Sequence, residues 1–170
     1  PTPLAVLMLD GFQVRFRGSG WGRRRTQKPH VEWHEMKLGV FYRNEQATQG
    51  ARGELADKVM VGWQGDGLEL GRRLHWEGQR GGLGRARQVL AVGDGAPWIW
   101  NVVGDRWAGA HQLLDFYHAS EHLWTLGEAL HPKDEAARLA WVEPHRHRLR
   151  HGQEGAVLAE IAALPRHRGA

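Results

Sequence analysis

The amino-acid sequence predicts an α/β fold, with strands of one sheet interleaved with helices, and three observations lead there. Two apolar runs roughly eighty residues apart, Leu4 to Leu9 and Val89 to Val92, carry no polar alternation. Such runs mark strands buried on both faces, as in the middle of a parallel sheet. Each ends on a carboxylate followed by glycine, in Asp10-Gly11 and in Gly93-Asp94-Gly95. Stretches of helical spacing fall between and after the strand-like segments, the alternation expected of a layered α/β domain.

The elements follow in order. After the first strand, Gly18-Ser19-Gly20-Trp21-Gly22 and Arg23-Arg24-Arg25 read as a basic, flexible connection. Met36 to Arg43 is predicted as the second strand, with Met36, Leu38, Val40 and Tyr42 on one face by the two-residue period. Gln46 to Gly53 reads as a polar turn and Lys58 to Trp63 as the third strand. Leu68 to Gln79 is predicted helical, ended by Gly81-Gly82, and the buried strand to Asp94 comes next. Pro97 suits the first turn of a helix, where its missing N–H has no partner to lose, so Trp98 to Trp107 is predicted helical. His111 to Phe116 makes a fifth strand. Leu123, Leu126 and Leu130 recur at helical spacing and place a helix over Tyr117 to Leu130. Past Pro132, Asp134 and Glu135 sit where acids favour a helix start, and Ala136, Leu139, Ala140 and Val142 carry that helix to Pro144. Val157, Leu158, Ile161 and Leu164 predict a last amphipathic helix. No internal repeat is visible.

At 170 residues the chain suits one domain with a small appendage. Its net charge of +4, with eleven histidines in reserve, favours a polyanionic partner. The positive charge is uneven: between Gly11 and Val31 there is no acid, while Arg15, Arg17, Arg23, Arg24, Arg25 and Lys28 all fall there. Arginines and lysines so grouped neutralise phosphates and release counterions, which makes the stretch a candidate DNA-backbone contact, with an ordinary solvated loop as the alternative. The absence of cysteine excludes disulfides and thiolate metal sites. No stretch approaches the roughly 20 apolar residues of a membrane span, and no signal peptide is visible. The sequence opens on Pro1 rather than methionine, as expected of a piece of something longer.

The chemistry centres on Asp10 and Asp94. If their strands are neighbours, both acids leave the sheet at one edge, where open α/β sheets place their ligands. Two carboxylates 4 Å apart repel by roughly 4 kcal/mol at an effective dielectric near 20. A divalent cation between them removes that penalty, and an oxygen-only donor set suits Mg²⁺ or Mn²⁺. A turn-forming role for either Asp-Gly is the alternative.

Further residues carry a family resemblance. Gly93-Asp94-Gly95-Ala96-Pro97-Trp98-Ile99-Trp100, continuing to Leu114-Asp115-Phe116-Tyr117-His118-Ala119-Ser120-Glu121-His122-Leu123, resembles Mutator-like DDE transposases and their bacterial insertion-sequence relatives. Leu9-Asp10-Gly11 is similar to the family's first catalytic Asp, and Glu35-Met36-Lys37-Leu38-Gly39-Val40 to its second strand. The resemblance covers Leu4 to Leu130 and implies a ribonuclease H-like core over residues 1–130, a five-stranded mixed sheet with parallel first and fourth strands. Residues 131–170 would begin an all-helical insertion. It also implies metal-dependent DNA cleavage and strand transfer, with Asp10 and Asp94 as catalytic metal ligands and with Asp115 and His118, the family's acid and histidine, as further catalytic candidates, a target-strand-positioning or architectural role being the alternative for these two. DNA as partner, homo-oligomeric assembly and a cytoplasmic, nucleoid-associated location belong to the same implication. The family's third acid, a Glu beyond the insertion, has no counterpart here: Glu143, Glu154 and Glu160 fall inside the inserted part. The expectation is therefore a core that is incomplete by itself, or a catalytically inactive DNA-binding remnant.

Other readings are weaker. Asp115, His118 and His122 have a spacing that puts zinc ligands on one helix face, though unliganded helix histidines are the plainer expectation. Asp115 is also placed to cap a helix. His145-Arg146-His147-Arg148-Leu149-Arg150-His151 reads as an exposed helix or linker. Of the nine tryptophans, Trp98, Trp100, Trp107 and Trp124 are expected to pack rather than stack on bases. A haloacid-dehalogenase-type phosphatase fails on residues, because Met8 stands where its nucleophile belongs and Trp98 where a later Asp is required. A ribonuclease acting on RNA–DNA hybrids would use the same sheet.

Overall fold

The computed structural model describes residues 4–17, 31–44 and 55–165. The basic connection with Arg23, Arg24, Arg25 and Lys28, and the polar turn at 46–53, lie outside the described residues. The chain divides into two compact units, Pro1–Leu114 and Asp115–Ala170.

The first unit holds β1 (Leu4–Arg17), β2 (Val31–Asn44), β3 (Leu55–Trp63), α1 (Gly67–Arg80), a 3-10 turn (Leu83–Arg85), β4 (Gln88–Gly93), α2 (Pro97–Arg106) and β5 (His111–Leu114). The five strands form one mixed sheet in the order β3-β2-β1-β4-β5. β1 runs antiparallel to β2 and parallel to β4, and β4 runs parallel to β5. Fold class and element order follow the sequence-based expectation. No described helix is long and apolar enough to cross a membrane.

The core lies between the sheet and the two helices. Ala5, Leu7 and Leu9 of β1, Phe41 of β2 and Ala91 of β4 pack with Leu70 and Leu74 of α1 and with Ile99, Val102 and Val103 of α2. Trp107 closes one end, edge-on to Phe41 with ring centroids 5.6 Å apart, and Trp98 and Trp100 pack against the same cluster. Met36, Leu38, Val40 and Tyr42 do share one face of β2, but the helix-covered face is the other one. Lys37, Gly39 and Phe41 are the buried positions, whereas Met36, Leu38, Val40 and Tyr42 are half-buried. The register explains it: Gly39 and Phe41 pair with Leu9 and Leu7, so they share the helix-covered face.

β1 is longer than its apolar run suggests. It pairs with β2 over its whole length, while β4 pairs only as far as Met8 and β3 only as far as Lys37. Residues beyond Gly11 and Lys37 therefore form a two-stranded ribbon that carries Arg15 and Arg17, both exposed. Asp10-Gly11 is thus mid-strand, which removes the turn-forming reading of Asp10.

The second unit holds α3 (Phe116–Leu130), α4 (Glu135–Arg150) and α5 (Glu154–Ala162). Leu123, Val142 and Val157 form its core, with Trp124, Trp141, Leu149 and Ile161 against them. Contrary to expectation, α4 does not stop at Pro144 but runs through it. A mid-helix proline costs about 3 kcal/mol, and interior packing on both sides of it, by Val142 before and His145 and Leu149 after, opposes the cost. Val142 and His145, one turn apart, both face the interior. His145 is buried, not exposed: its Nδ1–H donates to the Trp141 carbonyl at 2.6 Å, and its Nε2 lies 3.2 Å from Glu160 Oε2 on α5.

Candidate functional site

β1 and β4 pair in parallel with a constant offset from Leu4 opposite Gln88 to Met8 opposite Val92. The same offset brings Asp10 level with Asp94, at the carboxyl end of β4. Neighbouring strands lie about 4.8 Å apart, so the two backbones at the acids are close neighbours. Both sequence-predicted acids of the first unit therefore stand at one sheet edge.

Their surroundings differ. Asp10 is exposed and, by strand alternation, lies on the face opposite Leu9, with Met8 and Phe12. Asp94 is half-buried in the turn between β4 and α2. Its Oδ1 accepts a hydrogen bond from the Ala96 N–H at 2.8 Å, and Gly95 takes a φ of +95° that favours glycine. The turn role expected as the alternative for Asp94 is real, yet it engages one oxygen and leaves Oδ2 for another partner.

An all-oxygen pair of this kind suits a hard cation, which takes its remaining ligands from water or phosphate. Among the described residues no group of three or more His, Asp or Glu side chains is arranged to hold a metal. Glu143 and Glu160 are engaged elsewhere. Glu143 binds Arg146 at 2.7 Å. Glu160 holds Arg148 through both oxygens and is pushed below the usual carboxylate range by those hydrogen bonds.

Asp115 is the N-cap of α3: its Oδ1 accepts from the N–H groups of Tyr117 and His118 at 2.9 and 3.0 Å. Its position after β5 in sequence made both a cap and a catalytic acid possible, and the cap is what its contacts show. His118 Nδ1 lies 3.6 Å from Glu121 Oε2, and its ring meets that of His122 edge-on with centroids 4.7 Å apart.

Lys37, which the sequence left without a site role, and Trp98, expected there only to pack, both lie beside Gly11. Lys37 is buried level with Gly11, and its Nζ donates to Glu35 Oε2 at 2.6 Å. Trp98, on the first turn of α2, lies over Gly11 together with the Glu35 carboxylate. The signal in the sequence was the alternation of Lys37 with Gly39 and Phe41, which Met36, Leu38, Val40 and Tyr42 masked.

No protein family, curated protein or solved structure matches this chain. The functional reading therefore rests on the residues and their placement.

Proposed function

We propose that this chain carries the ribonuclease H-like catalytic core of a DDE-type transposase, acting on DNA by metal-dependent phosphoryl transfer. One observation supports it above the rest: β1 and β4 are adjacent and parallel in a sheet of order β3-β2-β1-β4-β5, and the offset of their pairing, continued past Met8 opposite Val92, carries Asp10 of β1 level with Asp94 in the turn just after β4. Bound Mg²⁺ or Mn²⁺ would polarise the scissile phosphate and stabilise the departing oxygen. The chain's own part is to supply Asp10 and Asp94 as its ligands. Arg15 and Arg17, on the ribbon that continues β1 beyond Asp10, are suited to the DNA backbone.

A second reading, a DNA-binding remnant without turnover, draws on a different observation. Among the described residues no third carboxylate joins the pair, and Glu143 and Glu160 are held in ion pairs.

Nicking of a labelled DNA duplex with Mn²⁺ separates the two. Cleavage that falls by at least 10²-fold in Asp10→Asn and in Asp94→Asn is the expected result for the enzyme, the scale of losing a group that stabilises transition-state charge. Salt-sensitive binding without cleavage supports the remnant. Cleavage untouched by either substitution refutes the proposed site, and preference for RNA–DNA hybrids redirects the reading to a ribonuclease.

A further inference from the structure

We propose that Lys37 is a positioning residue for the acid pair: paired with Glu35, it seats Trp98 against Gly11 and so sets the Asp94 turn relative to Asp10. The inference rests on the reading of Asp10 and Asp94 as a shared cation site.

Lys37 has only 9% of its side chain exposed, with Nζ 2.6 Å from Glu35 Oε2. The same Nζ lies 5.4 Å from the Trp98 ring centroid, within reach of a cation–π interaction. Burying an ammonium is unfavourable unless it is paired, and an apolar side chain would fill the same space without that cost. A charge kept there serves to hold one arrangement of its neighbours.

Those neighbours connect the two acids. Across β1 and β2, Lys37 is level with Gly11, the residue after Asp10. A side-chain carbon on Gly11 would meet Glu35 Oε1 at 3.4 Å and Trp98 Cζ2 at 3.6 Å, so the carboxylate and the indole edge both lie over that glycine. On its other side the indole covers Gly67, the first residue of α1, where an added carbon would fall 2.8 Å from Trp98 Cε3. Trp98 is thereby wedged between the start of α1 and the β1–β2 pair. From Trp98 the path to Asp94 is short and hydrogen-bonded. Ile99 N–H donates to the Ala96 carbonyl at 3.0 Å, and Ala96 N–H donates to Asp94 Oδ1 at 2.8 Å. A displacement of the ring displaces the turn that presents Asp94.

Lys37 does not itself face the acids. It shares the helix-covered face with Gly39 and Phe41, while Asp10 alternates to the opposite face. Its action runs through Trp98.

Lys37→Met keeps the aliphatic stem and removes the charge, and Lys37→Arg keeps the charge. Two measurements on the full chain test the idea: Mn²⁺ affinity by titration, and hydrogen exchange of the Ala96 amide in the metal-free protein. In Lys37→Met, Mn²⁺ binding weakens about tenfold, the scale of disturbing a metal ligand's supporting shell. Ala96 exchange quickens by a similar factor of about ten as the turn opens locally. Lys37→Arg restores both. Either quantity at the wild-type level in folded Lys37→Met overturns the proposal. Should Lys37→Met fail to fold, Trp98→Phe replaces it, because the smaller ring loses the contact over Gly11; unchanged values there overturn it equally. If Asp10→Asn and Asp94→Asn leave Mn²⁺ binding intact, the cation-site reading fails, and Ala96 exchange alone decides the role of Lys37.

Discussion

Glycine in the middle of a helix is normally a weak point, and replacing it with alanine is expected to stabilise by about 0.8–1.0 kcal/mol. Gly71 of α1 should not show that gain. A side-chain carbon there would lie 2.6 Å from Val102 Cγ1 on α2. Carbon atoms settle at about 3.5–4.0 Å, so the valine methyl must retreat by about 1 Å. It has nowhere to go: Val102 is fully buried, and a β-branched side chain in a helix has one strongly preferred rotamer. Overpacking of this kind costs typically about 1–3 kcal/mol. Set against the helix-propensity gain of about 0.8–1.0 kcal/mol, Gly71→Ala should come out between neutral and roughly 2 kcal/mol destabilising, and each kcal/mol lowers the melting temperature by about 4–8 °C in a unit near 100 residues. Gly104 of α2 provides the control, since an added carbon there meets nothing within 4 Å. Gly104→Ala should stabilise by about 0.4–1 kcal/mol. Thermal and urea denaturation of both variants checks the pair, and a Val102→Ala background, which removes the clashing methyl, should turn Gly71→Ala mildly stabilising, a coupling of about 1–3 kcal/mol. A melting temperature raised by Gly71→Ala as much as by Gly104→Ala would refute the close approach of α1 and α2.

Two further outcomes can be checked by simple optical measurements. Asp115→Ala removes the acceptor of two N–H groups at the start of α3 and should cost about 0.5–2 kcal/mol in a denaturant titration, whereas Asp115→Asn keeps most of the cap; equal stability of the two variants would deny Asp115 the capping role. Glu69 is pulled from 4.5 to about 2 by hydrogen bonds from Arg72 and Arg73. A depressed carboxyl contributes stability above its unfolded value and loses it as pH falls through the folded one. Acid titration of wild type should therefore show a small loss between pH 4.5 and 2 that Glu69→Gln lacks, visible in the helical circular dichroism signal and modest because the pair is exposed.

Much of this protein was readable along the chain because the relevant forces are local. The run Leu4 to Leu9 and the run ending at Val92 are neighbouring inner strands of the sheet, as unbroken apolar sequence suggests, although burial on both faces is not met throughout: Met8 is 42% exposed. Asp134 caps α4 through the Ala137 N–H and Pro97 occupies the first turn of α2, as their own chemistry requires. The order of strands and helices, and the two acids worth attention, came from such signals.

What the linear pattern left open was settled by partners distant in sequence. Pairing with Leu7 and Leu9 decided that Phe41, Gly39 and the charged Lys37 face the core, against the apolar alternation of Met36 to Tyr42. Burial of Val142 and His145 carried α4 through Pro144. The parallel register of β1 with β4 brought Asp10 and Asp94 to the same end of the two strands, and packing against Gly67 placed Trp98 over Gly11, the residue after Asp10. The physical reason is common to all four: which face a strand buries, how far a helix continues and which side chains meet depend on surface removed from water by another segment, and no residue carries that information alone.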